Sequence, residues 1–192
     1  EAYDVMARAY FELGRFDKAL ETYKMASTLT PASISRVQNL AMMTYYSGLH
    51  EDAERLLDKT VRLGIESKMF DSQSLVLLAF TRLESNDRKG LQRCQDDFLR
   101  LIDKDPDNTR LQRLAAVVNV LSLIQQQQFG PSLDAVRTMA KAVQTPLFDF
   151  ESASNLVTLV SHLARKAIQL DEVASLVAAL ARRFCSNRSI TE

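Results

Sequence analysis

Apolar residues recur at spacings of three and four along almost the whole chain, as in Met6, Ala9, Tyr10, Leu13 and then Phe16, Ala19, Leu20, Tyr23. That period aligns side chains along one stripe of a helix, and no convincing stretch shows the period of two expected of a half-buried strand. Short breaks interrupt it: Leu13-Gly14-Arg15, Thr30-Pro31, Ser47-Gly48-Leu49, Leu63-Gly64, Ser85-Asn86-Asp87, Asp105-Pro106-Asp107-Asn108, Phe129-Gly130-Pro131, Thr145-Pro146 and Gln169-Leu170-Asp171. Gly just past a helix supplies a left-handed cap, and Pro at a helix start sacrifices no hydrogen bond. The breaks predict ten helices, at about 2–13, 16–29, 33–47, 50–63, 69–85, 88–104, 108–128, 132–144, 149–169 and 172–186. Connections this short force neighbouring helices to run antiparallel, which makes the unit a helical hairpin repeated about five times.

The spacing of the hairpins is regular at first. Gly14 and Gly48, and likewise Ala19 and Ala53, lie 34 residues apart. In the first unit Tyr3, Met6, Ala7, Tyr10, Ala19, Tyr23, Ala26 and Pro31 follow the order aromatic, Leu, small, Tyr, Ala, aromatic, Ala, Pro; in the second, Leu40, Ala41, Gly48, Ala53 and Leu57 keep it. On these residues and this period the chain resembles the tetratricopeptide repeat (TPR) proteins. The second unit departs from the pattern at Val37, Thr44, Thr60 and Ile65. A third unit places Ala79 in the small slot but needs four extra residues, and puts Leu91 and Gln95 where Ala and an aromatic belong. The resemblance therefore implies an all-α, TPR-like right-handed superhelix of about five antiparallel hairpins. Three TPR-like hairpins span 1–106, and divergent hairpins continue the solenoid through 107–192.

Composition narrows the function. With 24 Lys+Arg against 24 Asp+Glu the formal net charge is zero, so no basic face suited to nucleic acid is expected. The longest apolar stretch, 114–124, is about half of what a bilayer span requires. Cys94 and Cys185 form no CxxC pair and no disulfide framework, so the expected compartment is the reducing cytoplasm. No HExxH motif or Gly-rich phosphate loop exists, and neither cysteine has a base near it in sequence, so no catalysis, metal or cofactor is expected. His50 reads as a solvated turn residue, His162 as a packing residue, and Gln125–Gln128 as too short for a Gln-rich domain.

In TPR proteins the first helix of each hairpin lines a concave groove that receives a peptide or partner helix. The resemblance places Asp4, Arg8, Phe11 and Glu12 there in the first repeat, then Gln38, Asn39, Met42, Tyr45 and Tyr46, then Gln73, Val76, Phe80 and Leu83. Of the clamp with which one branch of the family grips the tails of heat-shock chaperones, only Asn39 is present, so that ligand is not expected. Met adapts to irregular partners and Tyr offers rigid contact area, which singles out Met42, Met43, Tyr45 and Tyr46. Successive helical residues diverge by about 100°, so two should enter the core and two the groove. The partner-binding set is Arg8, Asn39, Met42, Tyr45, Tyr46 and Phe80, and the partner a protein or peptide.

Two further expectations concern what lies beyond the groove. Helix 172–186 carries a broad apolar arc through Val173, Leu176, Val177, Leu180, Ala181 and Phe184, a candidate homodimer contact. The opening inside a helical pattern reads as a fragment of a longer chain, and the overall layout is similar to the TPR output regions of bacterial response regulators. In that alternative a receiver domain outside the fragment carries the signalling chemistry.

Overall fold

The computed structural model describes residues 2–67, 72–142 and 150–165, together with 174, 175 and 178. Among the described residues there are nine helices and no strand: α1 Ala2–Glu12, α2 Phe16–Leu29, α3 Ile34–Tyr46, α4 His50–Ser67, α5 Ser72–Glu84, α6 Arg88–Lys104, α7 Thr109–Gln125, α8 Phe129–Ala142 and α9 Phe150–Arg165. The chain forms two compact units, Glu1–Asp97 and Phe98–Glu192, with the division falling inside α6. The expected tenth helix, 172–186, with its candidate dimer arc, and Cys185 lie largely outside the described residues.

One turn recurs at the tips of the hairpins. After α1, α3, α5 and α7 a single residue takes the left-handed conformation: Gly14 (φ 70°), Gly48 (φ 78°), Asn86 (φ 56°) and Gln127 (φ 60°). The N–H that follows it donates to a carbonyl five residues back: Arg15 to Tyr10 at 2.9 Å, Leu49 to Thr44 at 3.1 Å, Asp87 to Arg82 at 2.8 Å and Gln128 to Leu123 at 2.9 Å. This bond satisfies a carbonyl orphaned at the helix end and reverses the chain within three residues. The turn residues are 34, 38 and 41 positions apart, and the four extra residues between the second and third lengthen α4, which has 18 residues against 14 in α2.

Two expected breaks are placed differently. The turn into α8 is built from Gln126-Gln127-Gln128, and Gly130-Pro131 sits in the first turn of the helix, where a missing N–H costs nothing. Gly64 does not end α4, which runs on to Ser67; one interior Gly weakens a helix by only about 1 kcal/mol.

The core of the first unit rests on small residues at the helix crossings. Ala7 and Ala19 are fully buried in one cluster in the first hairpin, and Ala41 and Ala53 are fully buried in the second. Thr44 and Thr60, which break the repeat pattern, are buried at no polar cost because each hydroxyl donates to the carbonyl four residues back, at 2.7 Å to Leu40 and 2.6 Å to Leu56. Arg36 joins the first hairpin to α3. Its guanidinium donates to Asp4 of α1 at 3.1 Å, to the Ala26 carbonyl of α2 at 3.3 Å, and to Thr30.

Helix α5 differs from its predecessors in being buried on all sides, including Leu75, Val76, Leu77, Leu78, Ala79 and Phe80. Arg82 is buried at its C-terminal end and donates to Asp58 at 2.9 Å, to the Gly90 carbonyl at 2.8 Å and to the Cys94 sulfur at 3.2 Å. A Cβ on Gly90 would stand 2.6 Å from Cδ of Arg82 and 2.0 Å from the Asp87 carboxylate that caps α6, so here glycine makes the close approach. In the second unit His162 is buried on α9 with Nδ1 2.9 Å from the Arg165 guanidinium, a packing position.

The turns yield a test of opposite signs. A Cβ at Gly48 meets no atom but must adopt positive φ, so Gly48→Ala should destabilise the fold by about 1 kcal/mol, whereas Gln127→Gly should stabilise it by about 0.5–1 kcal/mol. Urea unfolding followed by circular dichroism measures both.

Candidate functional site

The hairpin turn brings two positions of each repeat together. In the first hairpin Phe11, near the end of α1, meets Phe16 at the start of α2, with ring centroids 5.7 Å apart at 62°. In the second, Tyr45 and His50 occupy the same two repeat positions and meet at 5.4 Å and 65°. Both are edge-to-face contacts across the left-handed residue, a favoured aromatic geometry. His50, read from sequence as a solvated turn residue, is instead half-buried and packs against Tyr45; the signal that could have found it was its 34-residue offset from Phe16.

Further contacts join these pairs across helices. Phe11 lies 6.0 Å from Tyr46, Tyr46 lies 5.5 Å from Tyr45, and Tyr45 lies 6.3 Å from Phe80 of α5. The rings form one continuous ladder from α2 through α1 and α3 to α5. Phe16 is exposed at one end, Phe11 and Tyr46 are half-buried in the middle, and Phe80 is sealed at the other.

The quartet on α3 divides two and two: Met43 and Tyr45 enter the core, while Met42 and Tyr46 remain half-buried. Asn39, Met42 and Tyr46 follow one another at three and four residues and so share a stripe of the helix, with Asn39 also half-buried. The repeat maps Met42 onto Arg8 and Tyr46 onto Glu12, and those two side chains form an exposed ion pair at 3.1 Å. Phe80 and Tyr45 occupy different ground from that expected of contact residues. Phe80 is 0% exposed and Tyr45 7%, so each presents almost no surface; Tyr45 backs Tyr46, and Phe80 backs Tyr45. Val76 is likewise buried, because α5 is enclosed on all sides, while Gln73 and Leu83 are half-buried. The accessible stripe is thus carried by α1 and α3.

A polar cleft of about 920 Å³ opens between α4, α5 and the start of α6. Its arginines are matched by neighbouring carboxylates: Arg55 by Asp52, Arg62 and Arg82 by Asp58, and Arg93 by Asp87. Five carboxylates and four arginines line the cleft, so its charges nearly balance and neither sign dominates. Burial pushes the Cys94 thiol up to about 11 against a weaker opposing pull from Arg82, the reverse of what a nucleophile needs. Among the described residues no three His, Cys, Asp or Glu side chains are grouped to hold a metal, and no helix is long and apolar enough to cross a membrane.

A structure titled MamA RS-1 ArsTM double mutant superimposes with a TM-score of 0.52 over 98% of this chain and 96% of its own, at 14% sequence identity. The fold is TPR-like. Two other matches are weaker: a second MamA structure, of a single-substitution mutant, with a TM-score of 0.47 at 10% identity over 94% of this chain and 95% of that one, and the TPR2AB domain of yeast Sti1 in complex with pHSP90, with 0.41 at 18% over 94% and 76%. No family model matches the chain, and no curated protein matches it. The TPR-like arrangement is therefore carried by the recurrent turn and small-residue crossings, with little shared side-chain identity.

The ladder separates two adjacent tyrosines by role. Tyr45→Ala should cost about 3 kcal/mol or more in urea unfolding by leaving a cavity, and Tyr46→Ala clearly less because its ring is only partly enclosed. In a Cys185→Ser background, native Cys94 should react with a disulfide reagent at pH 8 at least 100-fold more slowly than in urea, since the fold holds its thiol neutral. The same raised pKa means that this group's contribution to stability is present below about pH 8.5 and is lost as pH rises toward 11.

Proposed function

We propose that the chain is a non-catalytic protein-interaction module that holds a peptide or partner helix against the stripe formed by Arg8, Asn39, Met42 and Tyr46. The observation that carries this reading is the aromatic ladder. Tyr46 stands half-open against the rings of Phe11 and Tyr45, Tyr45 is backed in turn by buried Phe80, and Met42 lies half-buried one helical turn from Tyr46 on the same stripe. A partly exposed Met and Tyr on a rigid base provide apolar contact area with little rotamer entropy left to lose on binding. The exposed Arg8–Glu12 pair at the rim supplies both signs of charge, which favours register over raw affinity. Its compartment is proposed to be the cytoplasm, in keeping with a buried free thiol at Cys94.

Display of a random peptide library against the full chain tests the proposal. Selected peptides should lose at least tenfold in affinity for a Met42→Glu, Tyr46→Ala variant of unchanged helicity, about 1.4 kcal/mol, and keep their affinity for Val157→Glu, a substitution at an exposed position in the second unit. Peptides indifferent to the first variant would move the site away from α3, and a failure to select any would count against peptide capture.

A further inference from the structure

The polar cleft between α4, α5 and α6 has a counterpart one repeat earlier, a cleft of about 440 Å³ between α2, α3 and α4. The spacing of the turn residues, 34 from Gly14 to Gly48 and 38 from Gly48 to Asn86, carries the positions of the earlier cleft onto those of the later one. Leu40 and Arg55 become Leu78 and Arg93, so part of the floor and part of the rim are kept. The rest changes in sign or polarity: Lys24 becomes Asp58, Lys59 becomes Asp97, Leu49 becomes Asp87 and Thr44 becomes Arg82.

The later cleft is occupied by the chain itself, because Arg82 reaches from α5 to Asp58 of α4 at 2.9 Å. In the earlier one Thr44 turns its hydroxyl back to the Leu40 carbonyl at 2.7 Å, and Lys24 stands at the Asp58 position. Asp52 at the rim is paired with Arg55, and among the described residues no carboxylate pairs with Lys24 or Lys59. Two lysines are therefore left in excess around a floor of Leu40, Leu49 and Leu56.

We propose that this earlier cleft is a second docking site, for an acidic segment of a partner protein that carries an apolar side chain between its carboxylates. The apolar side chain would rest on the three leucines, and the carboxylates would meet Lys24 of α2 and Lys59 of α4. A partner then supplies from outside the opposite charge that Arg82 supplies from within at the next repeat. The apolar contact provides affinity, and the lysines select acidic segments over basic ones. Leu40 and Thr44 each lie two positions before Met42 and Tyr46, about 160° away around α3, so this site and the stripe face opposite ways.

A display library of short peptides, each with one Leu or Phe among Asp and Glu, tests the site. The target is the full chain carrying Met42→Glu and Tyr46→Ala, so that the stripe takes no part. A selected peptide should lose at least tenfold in affinity when Lys24→Asp and Lys59→Asp give the earlier cleft the charges of the later one. It should keep its affinity for Lys89→Asp with Lys104→Asp, which change the net charge equally at exposed positions outside the cleft. All four lysines are exposed, so helicity should not change. Replacing the peptide's acids by amides should abolish binding, and raising salt from about 50 to about 500 mM should weaken it at least fivefold. Failure to select any peptide would overturn the proposal and leave the stripe untouched. Equal losses with the two lysine pairs would also overturn it, by reducing the attraction to net charge. So would a concentration-dependent dimer abolished by the Lys24 and Lys59 substitutions, because the cleft would then hold a second copy.

Discussion

The left-handed residue at each hairpin tip is the constraint on which the described architecture depends. One residue at positive φ lets the next N–H bond five residues back, and the chain leaves the turn antiparallel to the way it entered. The bond lies in the backbone, so the turn tolerates Gly, Asn or Gln at its centre. Everything nearby is then decided by proximity. In the first two hairpins the residue three before the left-handed one meets the residue two after it, which makes the Phe11–Phe16 and Tyr45–His50 contacts one contact occurring twice.

From those pairs the ladder extends sideways to a closed end. Phe80 belongs to a helix buried on every side, and the same helix anchors Arg82 among Asp58, Gly90 and Cys94. A buried guanidinium is tolerated here because carboxylate, carbonyl and thiol acceptors surround it, and loss of one partner would leave charge uncompensated. The third hairpin thereby trades a surface for an anchor. Gly90 leaves room there for the Arg82 and Asp87 side chains, while Leu91, at the position where Ala is expected, is fully buried.

The helices, the hairpin unit and the 34-residue spacing were legible because they depend on local chemistry: apolar periodicity, capping glycines and small residues at crossings. The split of Met42, Met43, Tyr45 and Tyr46 into two buried and two half-buried residues also follows from helical geometry. Which two was not legible, because repeat equivalence places Tyr45 with Phe11 and says nothing about α5 closing over it. Phe80 was misjudged for a related reason. A helix buried all round gives a run of apolar residues without a polar face, and a groove position in such a run looks the same as a core position. The turn at Gln127 escaped notice because Gly130-Pro131 nearby is the stronger local punctuation, and only the hydrogen-bond pattern identifies the true reversal.

The chain contains no tryptophan and 5 tyrosines. Its near-ultraviolet absorption and emission therefore come mainly from phenol rings, and two of the five stand edge to face in the ladder. The proposed contact stripe and the packing beneath it thus share one intrinsic chromophore. A ligand settling on Tyr46 and a loosening of the core around Tyr45 would each register in the protein's own ellipticity, with no label to disturb either.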